Sequence, residues 1–211
     1  MGAAERNEKL KEIKKDEIIH GMEKALHLKG YDRLTIDDVA KEAEYSKKTV
    51  YSYFNSKDEI YLELLTRKFN LLYDKLQSAI ADSGKRGLEK IILMGRAYYE
   101  FSKKYPEYMQ PIIDFEEKKA TGNPETDQII ERFNEETGKS FFLLEESLNE
   151  GIEDKTVRAG TDAASTAIML WASINGFITL AYKKSEYVKS CCGKSLDELF
   201  EDCMQWIIHS L

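Results

Sequence analysis

Proline is scarce in this 211-residue chain, with three in all, and glycine contributes only 12 residues. That excludes collagen-like and low-complexity chains and leaves room for long, uninterrupted helices. Cysteine is equally rare: Cys191, Cys192 and Cys203 all lie near the C-terminus. They are too few and too clustered for a disulfide framework, and no C-x-x-C pair offers zinc two thiolates, so a reducing cytoplasm is expected. The first residues carry no apolar run of the secretory kind, and Arg6 breaks the myristoylation pattern, so a location inside the cell is expected. Excess positive charge is missing too: 31 Lys and Arg stand against 38 Asp and Glu, a net charge of −7. Such a chain does not coat nucleic acid by bulk charge, although a localised basic contact remains open.

Sustained period-2 alternation is hard to find, whereas apolar residues recur at spacings of three and four almost throughout. The expected class is all-α. A first helix spans about Glu8 to Leu28, with Ile18, Met22, Ala25 and Leu26 inward, and stops at Gly30. Thr35 caps a second helix, with Asp38 completing a capping box and Ile36, Val39, Ala40 and Ala43 inward; Ser46 caps a third that ends near Phe54. Ser56 and Glu59 open a long helix toward Ala81. Later helices are expected at about Leu88 to Lys104, Pro106 to Lys119, Pro124 to Gly151, 161 to 183, and Ser195 to Leu211. The change from short to long helices divides the chain into a head, residues 1–56, and a helical body, residues 57–211.

Ala163 to Tyr182 carries no charged side chain, a length that approaches a bilayer span. Ser165, Thr166, Ser173, Asn175 and Thr179 interrupt it, and the reading adopted is a buried helix with Gly176 as a close-packing residue and no membrane partner.

The second and third helices, joined by Glu44, Tyr45 and Ser46, have the proportions of a helix-turn-helix. Val50 and Phe54 fall four apart and face inward, which leaves Lys47, Lys48, Thr49, Tyr51, Ser52 and Tyr53 outward, a donor-rich set without an acid. From Tyr45 to Lys57 the only charges are Lys47, Lys48 and Lys57, so a segment of +3 lies in an acidic chain. Lys47 and Lys48, in the first turn, are placed for guanine edges or phosphates, Thr49 for a thymine methyl or a phosphate, and Tyr51, Tyr53 and Lys57 for phosphate oxygens. A plain solvated face on an ordinary helical turn satisfies spacing and charge equally well.

The run from Gly30 to Ala43 with its G-Y-x-x-L-T start and Val39-Ala40 pair, then S-K-x-T-x-Y-x-Y-F from Ser46 to Phe54 and S-K-D-E from Ser56 to Glu59, resembles the DNA-binding head of the TetR/AcrR family of repressors. The resemblance covers about a quarter of the chain. It implies a double-stranded DNA operator as partner, base or phosphate contacts from Lys47, Lys48, Thr49, Tyr51, Tyr53 and Lys57, and backbone contact from Thr35, with Ser46 counted among the DNA-binding residues. It also implies a homodimer built by the last two helices, here through Ile168, Trp171, Ile174, Ile178, Trp206 and Ile207, and a palindromic site. Two departures stand out: Glu44 occupies the turn position where the family usually has glycine, and Lys48 stands where a small residue is common.

A regulator of this kind needs a small-molecule effector. Tyr98, Phe101, Tyr105, Met109, Phe115, Phe133, Phe141 and Trp171 are the candidate pocket residues, and a largely apolar ligand is expected. No enzyme motif appears. Glu17 and His20 form an E-x-x-H, but a di-iron bundle needs a second such pair, and neither His27 nor His209 has a glutamate three residues before it. No metal or cofactor is expected. The competing reading of the head is a DNA-organising protein without an inducer.

Overall fold

The computed structural model describes residues 2–81, 84–113 and 119–211, apart from the side chains of Ala3 and Ala4. Among these residues it contains helices and no strand. In chain order they are α1 (Ala3–Lys29), α2 (Ile36–Glu42), α3 (Lys47–Tyr51), α4 (Lys57–Ile80), α5 (Gly87–Lys104), α6 (Pro106–Ile113), α7 (Pro124–Glu153), α8 (Ala163–Cys192) and α9 (Leu196–Ser210).

The starts follow local chemistry. Thr35 Oγ1 accepts from the Asp38 N–H while the Asp38 carboxylate takes the Thr35 N–H, a reciprocal capping box. Ser46 Oγ accepts from Thr49 N–H at 3.0 Å, Asp162 Oδ1 from Ser165 N–H at 3.0 Å, and Ser195 and Glu198 repeat the box at α9. Each cap is worth about 1 kcal/mol. At Ser56 the box is half made: its Oγ accepts from Glu59 N–H, but the Glu59 carboxylate turns to the Asn55 N–H instead.

Two elements differ from the periodicity. Helix α3 closes at Tyr51 because the N–H groups of Ser52 and Tyr53 bond the carbonyls of Thr49 and Val50, three residues back, which tightens the exit toward Phe54. Helix α8 runs on to Cys192, and the expected end at 183 coincides with a kink, since Lys184 has φ −140° and ψ 32°.

The chain divides into two compact units, residues 1–68 with 116–136, and residues 69–115 with 137–211. The first is larger than the head expected at residues 1–56. The early turns of α4 belong with it because Ile60 and Leu64 are buried, Lys68 pairs with Glu23 at 2.6 Å, and Arg67 reaches Asp16. Its core holds Ile18, Met22, Ala25, Val39 and Val50, all without exposed surface. Gly21 sets how closely α1 approaches the end of α2, for a Cβ there would sit 2.6 Å from the Cβ of Ala43. In the second unit, Phe101, Tyr108, Leu148 and Ile178 are fully buried. A Cβ on Gly87 would meet the backbone nitrogen of Gly151 at 2.1 Å, so α5 and α7 pass there backbone to backbone.

Candidate nucleic-acid interface and body cavity

Helix α2 ends in a Schellman motif. The N–H of Tyr45 bonds the carbonyl of Ala40 at 2.9 Å, and that of Glu44 bonds Lys41 at 3.1 Å. The geometry demands a left-handed residue at position 44, and Glu44 indeed has φ 59°. A side chain there is strained, where glycine is not. The turn is fastened from α1 as well, since the Tyr45 hydroxyl donates to the Glu17 carboxylate, which raises the phenol pKa. Glu17 is thereby committed to the turn, and the His20 ring lies 3.5 Å from Glu23. Among the described residues, no group of three metal-capable side chains comes together.

With the turn fixed, Val50 of α3 and Phe54 just beyond it are buried, and the other side of α3 is left to solvent. Lys47, Lys48, Tyr51 and Ser52 are exposed, Tyr51 by 48%, while Thr49 and Tyr53 are half-buried. Among the described residues, Lys48 has no ion-pair partner. The Nζ of Lys47 lies 2.9 Å from Asp37 of α2, a carboxylate that raises the lysine pKa. An acid therefore adjoins the outward face, which the sequence of α3 alone did not indicate. Ser46 is occupied as the cap, its Oγ sharing a further hydrogen bond of 2.8 Å with Thr49 Oγ1.

Thr35 is exposed, and its hydroxyl donates to Asp38 at 2.9 Å. Lys29, the strongest influence, and the Thr35 backbone and hydroxyl hold the Asp38 carboxyl down at about 2. Lys57 departs from the open phosphate clamp expected of it. Its Nζ donates to the carbonyls of Tyr31 at 3.1 Å and Leu34 at 3.4 Å and lies 4.1 Å from the Tyr31 ring centroid. The ammonium satisfies loop carbonyls that would otherwise lack donors. Tyr31, its ring centroid 4.2 Å from that of Tyr61 with the planes tilted by 30° and its hydroxyl donating to Asp58, is part of the same clasp, and its pKa is raised by burial and by Asp58.

The second unit holds a cavity of about 490 Å³. Tyr98, Phe141 and Trp171 line it, together with aliphatic residues of α4, α5 and α9 such as Leu72, Met94 and Met204. Other expected lining residues lie elsewhere. Phe101 and Met109 are packed into the core at 0% and 2% exposure and do not line the cavity. Tyr105 packs on Phe101 at a centroid distance of 4.9 Å. Phe133 belongs to the first unit, and Phe115 falls outside the described residues. Periodicity marks an inward face without marking where packing is incomplete.

Of the residues expected at a dimer face, Ile168, Trp171 and Trp206 are exposed by 55%, 40% and 65%. Ile178 and Ile207, at 0% and 1%, are instead core of their own chain, and Ile174 faces the cavity. The outward stripe of α8 is formed by Met169 and Leu180 as well, with Gly176 exposed where an added Cβ would meet nothing within 4 Å. Helix α8 is thus not wholly buried. Ala167, Leu170 and Ile178 face in, while a second apolar stripe faces out. It is long and apolar enough to cross a membrane by length and composition.

This arrangement is a helix-turn-helix of the DNA-binding type: a strained but tightly bonded turn, the buried Val50 and Phe54, and a short donor-rich helix facing out. Residues 18–64 match the family described as bacterial regulatory proteins, tetR family. The similarity to that family is carried by this head, less than half of the chain. Over 62 residues, 29% of this chain, it is 36% identical to the biofilm operon icaADBC HTH-type negative transcriptional regulator IcaR of Staphylococcus epidermidis; the match spans 34% of that relative's length. Among solved structures, the fold is similar to FadR of Bacillus subtilis in complex with stearoyl-CoA, at 19% identity and TM-score 0.69 over 92% of this chain and 98% of that one. It is also similar to a protein of unknown function from Rhodococcus sp. RHA1, at 19% identity and TM-score 0.74 over 94% and 95%.

Proposed function

We propose that this protein is a ligand-responsive transcriptional repressor, which grips a palindromic operator as a homodimer in the cytoplasm and lets go when a small, mostly apolar effector occupies its body. The observation that carries the reading is the outward set on α3, with Lys48 unpaired and Tyr51 exposed beside buried Val50. Lys48 and Lys47 read guanine edges or phosphates, the latter after exchanging Asp37 for DNA, while Thr49, Tyr51 and Tyr53 fix the register on phosphates. Thr35 touches the backbone from the start of α2.

The outward apolar stripe supports the dimer in this reading. Ile168, Met169, Trp171, Leu180 and Trp206 are large apolar side chains left exposed, the kind of surface that marks an interaction site when contiguous. A second copy covers it by a two-fold, self-complementary contact. Exposed Gly176 lets the partner's backbone come close.

Helices α4 and α7 each carry residues of two kinds. In the first unit, Thr126 and Arg132 of α7 bond Glu59 and Glu63 of α4. Farther along, Phe69 and Leu72 of α4 and Phe141 and Phe142 of α7 line the cavity. An effector that packs better against one placement of these helices shifts the population of head spacings, and DNA discriminates between those spacings. The test is selection of genomic fragments by the purified protein, followed by footprinting. A regulator protects a discrete palindrome; equal retention of all fragments would identify a DNA-organising protein and overturn the reading.

A further inference from the structure

Among the described residues, the lining of the cavity of about 490 Å³ includes no Lys, Arg, His, Asp or Glu. A carboxylate or an ammonium drawn into it would lose water and gain no countercharge, a penalty that removes orders of magnitude from affinity. The polar groups present are neutral. The Tyr98 hydroxyl already donates to Asn175 Oδ1 at 2.7 Å, and burial, the leading cause, raises its pKa and keeps it protonated. Ser140, also in the lining, has a buried Oγ with no hydrogen-bond partner, an unusual state for a hydroxyl in a folded protein. At the rim, Phe142 is 65% exposed and borders a second groove that contains Glu145, Glu146 and Glu153. An anionic head emerging past Phe142 would meet these carboxylates.

We propose that the ligand of this cavity is an uncharged amphiphile, a medium-length apolar chain that ends in a hydroxyl received by Ser140 Oγ. The claim rests on the regulator reading only in calling that ligand the effector; the binding itself is independent of DNA.

Calorimetry on the full chain at pH 8, without DNA, compares 1-decanol with decanoate and decylamine, both charged there. 1-Decanol is expected to bind at least about tenfold more tightly than either. Ser140→Ala weakens 1-decanol about fivefold and leaves 1-chlorodecane unchanged. Leu144→Trp, which fills the cavity, abolishes 1-decanol binding while the circular dichroism of the folded chain is retained. Equal or tighter binding of decanoate or decylamine, no binding of any of the three, or 1-decanol binding indifferent to both substitutions overturns the proposal. If 1-decanol binds as expected while no duplex is bound, the ligand class stands and the regulator reading falls. If a duplex is bound and a charged probe wins, the reverse holds.

Discussion

In the head, an α3 of five residues has to present particular polar groups at particular positions, whereas the body's cavity has only to be apolar and incompletely filled. The first requirement constrains residue type at almost every position. Ser46 must cap, Val50 and Phe54 must be buried, and Lys47, Lys48 and Tyr51 must stay outside. The second is met by many combinations of Leu, Ile, Met and Phe, so it leaves little trace in the order of residues. The head uses caps and a clasped turn to hold a face rigidly outward, while the body spends its apolar surface on a gap and on an uncovered stripe.

The largest effect that would break this contrast concerns the stripe. Met169→Asp combined with Trp206→Asp places two carboxylates on exposed apolar positions and leaves the core untouched. Sedimentation should show monomers, and operator affinity should fall by about 100-fold or more through loss of paired binding. A dimer that survives would move the interface elsewhere. Next in size, Lys48→Ala should cost about 1–3 kcal/mol on the operator and less on random duplex, measured by fluorescence anisotropy.

Lys57→Ala sharpens the comparison within the head. Because its ammonium holds the carbonyls of Tyr31 and Leu34, the substitution should lower the head's stability by about 1 kcal/mol and leave the salt dependence of DNA binding unchanged. A salt slope reduced by about one would mean that Lys57 leaves the carbonyls for a phosphate. Glu44→Gly should act in the opposite direction and stabilise by about 1 kcal/mol in a denaturant melt, since φ 59° suits glycine.

The smallest effect is at acid pH. The Asp38 carboxyl is lowered from 3.8 to about 2, so its contribution is present above pH 3.8 and is lost as pH falls through about 2. Asp38→Asn should therefore flatten the stability profile between these values, measured by thermal melts against pH. An unchanged profile would mean that Lys29 and Thr35 do not hold the carboxylate in solution.

Caps and periodicity made most of the fold legible. Thr35, Ser46 and Ser195 start helices where their side chains predict, and Glu44 marks the strained turn. What stayed hidden depends on side chains from different elements meeting. Asp37 reaches Lys47 from the neighbouring helix, and Lys57 folds back onto a loop, neither of which a linear charge count reveals. In the body, Tyr98, Phe141 and Trp171 adjoin the cavity while Phe101 and Met109 do not, because a helical stripe specifies the inward side and says nothing of residual space. Likewise, the uncharged α8 has two apolar faces, and composition alone does not tell the inner face of Ile178 from the outer face of Ile168.

The most direct measurement is a footprint of the purified protein on the tightest-binding genomic fragment. The account predicts one protected palindrome, its half-sites about 34–36 Å or a multiple of that apart, with protection weakened by Lys48→Ala. Protection spread over unrelated sequences, or no protection at low salt, would contradict it.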